Sequence, residues 1–221
     1  MIPLRVDILR TRAAIFNGLL ITANVLAFLY ELSLSPKAGH ALVYSFGLVP
    51  SHTQLLFARH GITFAQAFLP MLTSMFLHGG WMHLLGNMLF LWVFGGAVEE
   101  ALGHIQYFIF YFICGIGSAM AHTVLNWSST VPTIGASGAI SGVMGAFIVL
   151  FPRARVTTLI PLFLFFTIRI PAVLMLGYWF FIQFFSGIAS LGVGDRGGVA
   201  WWGHVGGFVL GALLVVGERR K

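Results

Sequence analysis

Gly135-Ala136-Ser137-Gly138-Ala139-Ile140-Ser141-Gly142 is the stretch on which the whole chain turns. It places a hydroxyl between small residues, at the start of an apolar run that continues to Phe151. A polar side chain at such a place is either a helix cap or a nucleophile. The residues around it have to decide which.

The apolar run is one of many. The chain of 221 residues is 58% apolar and only 8% charged, where a soluble domain carries about a quarter charged residues. That is too little charge to cover a water-facing surface, so the chain reads as an integral membrane protein. Its length allows roughly six spans of about 20 residues each. Cys114 is the only cysteine, which excludes an internal disulfide and a cysteine-based metal cluster.

Working outward from the serine, the fourth span starts near Ser137 and ends at Phe151-Pro152. Before it lie a third span, Ile105 to Leu125, and a second, Trp81 to Val98. The first runs from Ala13 to about Leu32, too long for a signal-peptide core of about 7–15 residues. Between the first two, residues 33 to 80 are broken by Pro36, Pro50 and Pro70. This loop is too interrupted to span and too apolar to be a plain aqueous loop, so a partly embedded interfacial segment is expected. After the serine helix come an apolar connection with Pro161, a fifth span from Pro171 to about Ser190, the glycine-rich loop around Asp195, and a last span from Val199 to Val216.

The basic residues orient this arrangement. Six spans put Arg5, Arg10, Arg12, Arg153, Arg155, Arg169 and the terminal Arg219-Arg220-Lys221 on one side, and Lys37, Arg59 and Arg196 alone on the other. Both termini are therefore expected in the cytoplasm. The net charge of +6 is a topology signal, and no nucleic-acid partner is expected. In this orientation the second, fourth and sixth spans all begin at the extracytoplasmic face.

The polar residues of interest cluster at those three beginnings. The second span opens with His78-Gly-Gly-Trp-Met-His83-Leu-Leu-Gly-Asn87, in which His83 and Asn87 share a helical face. The sixth opens with Trp201-Trp202-Gly203-His204. Small residues lead away from each polar one: Ser137, Ser141 and Gly145 on the fourth span, His204, Gly207 and Gly211 on the sixth. Such faces let helix backbones approach closely, which would set Ser137 beside His204. A serine hydroxyl needs a base to become a nucleophile, and His204 is the natural one. Asn87 and His83 would supply donors for the oxyanion of an acyl-transfer intermediate, with the Ser137 N–H and the positive helix end adding to them. Asp195 lies in the preceding loop, and Glu99 and Glu100 fall at the far end of the second span. The residues thus suggest a Ser–His dyad, not a triad.

Each residue also has a plainer role. Ser137 would suit an N-cap or a packing position, His204 a packed interfacial histidine, His83 and Asn87 inter-helix hydrogen bonds. His78 would be a loop residue unless it braces that loop, and Glu99 a brace at the inner end of the second span. It is the coincidence of four suitable side chains at one depth that favours chemistry.

Taken together, these motifs resemble the rhomboid family of intramembrane serine proteases. His78-x4-His83-x3-Asn87 is similar to the family's second-helix motif, Gly135-Ala136-Ser137-Gly138 to its GxSG nucleophile motif, and His204-x2-Gly207-x3-Gly211 to its last-helix histidine motif. Gly95-Gly96-Ala97-Val98-Glu99 resembles the segment ending the second helix. GxSG alone is weak, since soluble hydrolases use similar elbows. The motifs come in family order and the likeness covers nearly the whole chain.

The resemblance implies an all-α integral membrane protein: a six-transmembrane-helix rhomboid-like bundle forming one domain over 1–221. It would have a cytoplasmic segment at 1–12, a partly embedded extracytoplasmic loop at 33–80 and a cytoplasmic tail at 217–221. It implies a serine endopeptidase with Ser137 and His204 as the catalytic dyad and His83, Asn87 and the Ser137 backbone as the oxyanion site. No cofactor or metal is implied. The fifth span and the loop at about 186–200 would form a lateral gate and cap. The expected partners are single-span membrane proteins, cut in or near the bilayer with small residues favoured before the scissile bond. A minimal bacterial-type member is expected, in the cytoplasmic membrane, with its site opening to the extracytoplasmic side. Oligomeric state is not legible.

There are two departures. Some members carry a Trp-Arg pair ahead of the second-helix motif, where this chain has Leu69-Pro70. Some carry a tyrosine one turn after the nucleophile that stacks on the histidine, where this chain has Ser141. The second leaves open what orients His204. Three rivals stand beside the protease: a non-catalytic relative that binds membrane helices, a metal site built from His78, His83 and His204, and a channel or carrier. Both serine and histidine are present against the first. The second lacks a supporting carboxylate and a His-Glu-x-x-His motif, and the third lacks an inverted repeat.

Overall fold

The computed structural model describes every residue except 162–164, 192–198 and 219–221. The chain begins with a strand, β1 (Ile2–Val6), followed by the long helix α1 (Ile15–Ser33). The next segment holds α2 (Pro36–Phe46), α3 (Pro50–Phe57), α4 (Phe64–Phe68) and α5 (Pro70–Thr73), the last running on into a 3-10 turn, Ser74–Phe76. A continuous helix follows: α6 (Trp81–Phe90), a π-helical turn (Leu91–Gly95) and α7 (Gly96–Leu102). Then come α8 (His104–Leu125), α9 (Ser137–Leu150), the strands β2 (Arg155–Pro161) and β3 (Phe165–Pro171), α10 (Ala172–Leu191) and α11 (Trp201–Leu214).

Among the described residues, four helices are long and apolar enough to cross a membrane: Ile15–Ser33, Trp81–Leu102, His104–Leu125 and Ala172–Leu191. Their outer surfaces carry exposed Leu26, Trp92, Ile109, Leu174 and Phe181, as lipid contact requires. The helices α9 and α11 have 14 residues each, and at about 1.5 Å per residue reach about 21 Å, short of the ~30 Å hydrocarbon core. Every residue of α9 from Ala139 to Phe147 is buried, so it is the axis of the bundle rather than part of its wall. It packs most extensively against α11, which together with α8 encloses it.

Prolines that interrupt the apolar pattern of 33–80 prove to start helices. Pro36, Pro50 and Pro70 each sit in the first turn of theirs, where the missing N–H is harmless and the fixed φ helps. Ser35 caps α2, and Thr63 with Gln66 forms a capping box on α4. This segment is a chain of short helices, not an irregular loop.

The fold is mostly helical but not all-α. β1, β2 and β3 form an antiparallel sheet in that order. Val156 and Thr158 are fully buried on one face, while Arg5, Thr157 and Arg169 lie in register on the other. The β-branched run Val156-Thr-Thr favours strand, yet the partner β1 lies about 150 residues away, so no local pattern announces the pairing. Ala172 N–H donates to Ala154 O at 2.8 Å, joining the sheet to the start of α10.

At the same end of the molecule, Glu99 does more than brace its own helix. Its carboxylate accepts the N–H groups of Phe16 at 3.0 Å and Asn17 at 2.8 Å, capping α1 where the helix end is positive. Asn17 donates in turn to Leu91 O in the π-turn at 3.1 Å and accepts from Tyr107 Oη at 2.7 Å. A Cβ on Gly95 would collide with Asn17, which is why that turn holds a glycine.

Candidate active site

Ser137 is the first residue of α9. The segment leading to it is held at two points. Leu48 and Thr133 exchange backbone hydrogen bonds of 2.9 and 2.8 Å, and Gly135 N–H donates to Ser74 O at 2.8 Å. Gly135 has φ +123°, and a Cβ there would lie 2.6 Å from His83 Nε2. Only glycine fits both the conformation and the space. The segment 33–80 thereby positions the serine through backbone hydrogen bonds.

His204 reaches Ser137 because α9 and α11 touch through backbone. A Cβ on Gly207 would collide with the carbonyl oxygen of Gly138, one on Gly211 with that of Gly142, and one on Gly145 with that of Phe208. The small face of α11 is the expected one. That of α9 is turned from expectation: Gly138, Gly142 and Gly145 make the contact. Ser141 instead folds its hydroxyl back to Ser137 O at 2.6 Å, satisfying a buried donor within its own helix.

His204 Nε2 lies 2.7 Å from Ser137 Oγ, and His204 Nδ1 lies 2.7 Å from Gln183 Oε1 on α10. An amide oxygen only accepts, so Nδ1 carries the hydrogen and Nε2 is left to accept from the serine hydroxyl. The Trp179 ring, one turn before Gln183, packs against His204 with centroids 5.8 Å apart. The aromatic contact missing at position 141 is thus supplied from α10.

His83 and Asn87 come to the same place from α6. With Ser137, His204, Trp179 and Gln183 they line a cavity of about 470 Å³. Gly79 N–H donates to His83 Nδ1 at 3.3 Å, which leaves the hydrogen of the neutral ring on Nε2, the atom facing Gly135. Asn87 is buried, and its Nδ2 is a donor with no acceptor. Such a group is costly unless something comes to meet it. His78 is a brace: it is buried, its N–H donates to the Glu31 carboxylate at 3.1 Å, and its ring stands edge-on to His83 at 5.1 Å. Burial, with a smaller contribution from His83, pushes its imidazole down to about 4.

All four residues singled out in the sequence thus meet in one cavity. Gln183 and Trp179 were missed. The signal for Gln183 was its being the one carboxamide in the apolar run Ala172–Leu191. Asp195 and the rest of 192–198, the middle of the segment expected at about 186–200 as a cap, lie outside the described residues, while 186–191 continue α10. No group of three or more His, Cys, Asp or Glu residues suited to a metal occurs among the described residues.

Residues 65–221 match the Rhomboid domain. Similar proteins include the mitochondrial Rhomboid protein 1 of Saccharomyces cerevisiae, 32% identical over 63% of this chain and 39% of the relative. The mitochondrial presenilin-associated rhomboid-like protein of Mus musculus is 32% identical over 58% of this chain and 35% of the relative. Rhomboid protease GluP of Bacillus subtilis is 42% identical over 34% of this chain and 14% of the relative. The chain therefore spans well under half the length of these relatives.

Proposed function

This chain belongs to the Rhomboid family, and we propose that it is an intramembrane serine endopeptidase working through Ser137 and His204. The observation that carries this is the 2.7 Å contact between Ser137 Oγ and His204 Nε2 in a cavity that also holds an unpartnered Asn87 donor. As the Ser137 oxygen attacks the scissile carbonyl, its proton passes to His204 Nε2. The oxyanion is met by Asn87 Nδ2–H, by His83 Nε2–H and by the Ser137 N–H, which in the first turn of α9 has no intrahelical partner. His204 then gives the proton to the leaving amine. A water molecule, deprotonated by the same nitrogen, releases the acyl group. The chemistry requires no metal or cofactor.

The substrates we assign are single-span membrane proteins, entering between α6 and α10, the helices that supply His83 and Asn87 on one side and Trp179 and Gln183 on the other. In this arrangement α9 and α11 are the fourth and sixth spans, completing a six-span bundle with the four long helices. They are short because the nucleophile sits below the outer surface and must be reached by water. Residues 33–80 form the embedded extracytoplasmic loop, and 1–12 and 217–221 lie in the cytoplasm. The clustering of Arg5, Arg153, Arg155 and Arg169 supports this orientation. A cytoplasmic membrane of bacterial type fits the likeness to GluP. The test is cleavage of a panel of single-span substrates in proteoliposomes. Ser137→Ala and His204→Ala should each abolish it while the protein remains folded in detergent, and full activity in Ser137→Ala would overturn the proposal.

A further inference from the structure

The base of a serine hydrolase must present the right nitrogen, and something must hold its ring while the proton moves. In a triad a carboxylate does this. We infer that in this chain the task falls to Gln183, a positioning residue that fixes the tautomer of His204 and ties it to the docking of α10. The inference rests on the Ser137–His204 reading.

The geometry is direct. Gln183 is 6% exposed and His204 8%, and the 2.7 Å contact of Oε1 with Nδ1 is on the ring edge opposite the 2.7 Å contact of Nε2 with Ser137. The three groups form one line: amide, imidazole, hydroxyl. An amide oxygen cannot take up the proton or become charged, so it selects the tautomer without the full electrostatic support that a carboxylate gives an imidazolium. The sequence offered no acidic partner for His204, and the structure supplies a neutral one.

The contact depends on how α10 lies. Trp179, Gln183 and Gly187 fall on one stripe of that helix, each a turn apart. Trp179 packs on His204. A Cβ on Gly187 would lie 3.1 Å from the Trp202 ring of α11, so the missing side chain lets the two helices close. Of the 20 residues of α10 few others are buried, chiefly Ala172, Met175 and Leu176 at its inner end. The outer half of α10 is therefore held to the site by this stripe together with the rings of Phe180 on Phe208 and Phe184 on Trp202, and a shift of a few ångströms there releases the base. Two other imidazoles, His83 and His122, lie near enough to act electrostatically on His204.

The test is the rate at which a small fluorophosphonate labels Ser137, measured across pH on the full chain in detergent. So small a probe needs no passage for a substrate helix, which separates orientation of the base from entry. Gln183→Met keeps length and removes the acceptor. Its labelling should slow about 10–10²-fold, less than the ~10⁴ lost when a triad's orienting group favours the wrong tautomer. Gln183→Glu keeps an acceptor and adds charge. It should label well, with the acid limb of the profile moved upward by about one pH unit, since an opposite charge favours imidazolium. Gln183→Met labelling at the wild-type rate at every pH would overturn the inference. So would Gln183→Glu losing rate without a shift of its profile, as a packing role demands. If the Met variant does not fold, the presence or absence of the Glu shift decides alone. Labelling of Ser137→Ala as fast as wild type would bring down the dyad itself, and this inference with it.

Discussion

The helices α9 and α10 both pack against α11, which carries His204, and they are held to it in opposite ways. α11 meets α9 backbone to backbone, with Gly207 on Gly138 and Gly211 on Gly142. α10 meets α11 through side chains, the Trp179, Gln183 and Gly187 stripe and the rings of Phe180 and Phe184, and is otherwise largely exposed. The first contact has no slack, because a carbonyl oxygen has no rotamer to change. The second has the freedom of side chains. Ser137 and His204 are thus carried by the pair locked through backbone, and Gln183 by the helix held through side chains. The 2.7 Å serine–histidine distance therefore rests on backbone contacts, and the α10 wall on side-chain contacts.

Substitutions can break either side of that contrast. The largest effect is expected from Gly211→Val, which drives a branched side chain into the Gly142 backbone. Labelling of Ser137 should vanish and the melting temperature in detergent should fall by an amount corresponding to ~3 kcal/mol or more. A variant of wild-type stability would mean that α9 and α11 are not locked. Next comes Asn87→Ala, which removes a donor and leaves both helix contacts intact. Substrate turnover should drop ~10²–10³-fold with little change in KM, and an unchanged kcat would take Asn87 out of the oxyanion site. Gly187→Val should act on the loose side only. It presses on the Trp202 ring, not on backbone, so about a tenfold loss of labelling with a loss of stability under ~1 kcal/mol is expected. Collapse of the fold would show that α10 is as tightly locked as α11. Glu99→Gln, far from the cavity, should leave kcat unchanged. It should lower stability by ~1–3 kcal/mol, because the α1 N–H groups lose a charged acceptor, as thermal unfolding would show.

The same contrast explains what could be seen in the sequence. Periodicity and small-residue spacing put Ser137, His204, His83 and Asn87 at one depth, because each sits on a regular helix whose register is local. Helix starts at Trp81, Ser137 and Trp201 lie within two residues of expectation. Gln183 escaped because its role is set by how α10 packs on α11, and a lone amide in an apolar run does not announce its partner. The sheet escaped for a similar reason: β1 finds β2 across most of the chain. On the α9 contact line Gly145 holds, while at the other two positions the contact falls one residue on, since serine and glycine are both small and only packing distinguishes Ser141, bonded to its own helix, from Gly142, pressed on Gly211. The prolines at 36, 50 and 70 interrupt the apolar pattern, yet each begins a helix. A proline excludes helix before it, not after it.

The most direct measurement is to map the adduct of a fluorophosphonate on the intact protein by mass spectrometry, with wild type and His204→Ala side by side. The expected result is one adduct, on Ser137, that disappears when His204 is removed. An adduct elsewhere, or undiminished modification of Ser137 without His204, would contradict the serine–histidine pair as the working centre of this molecule.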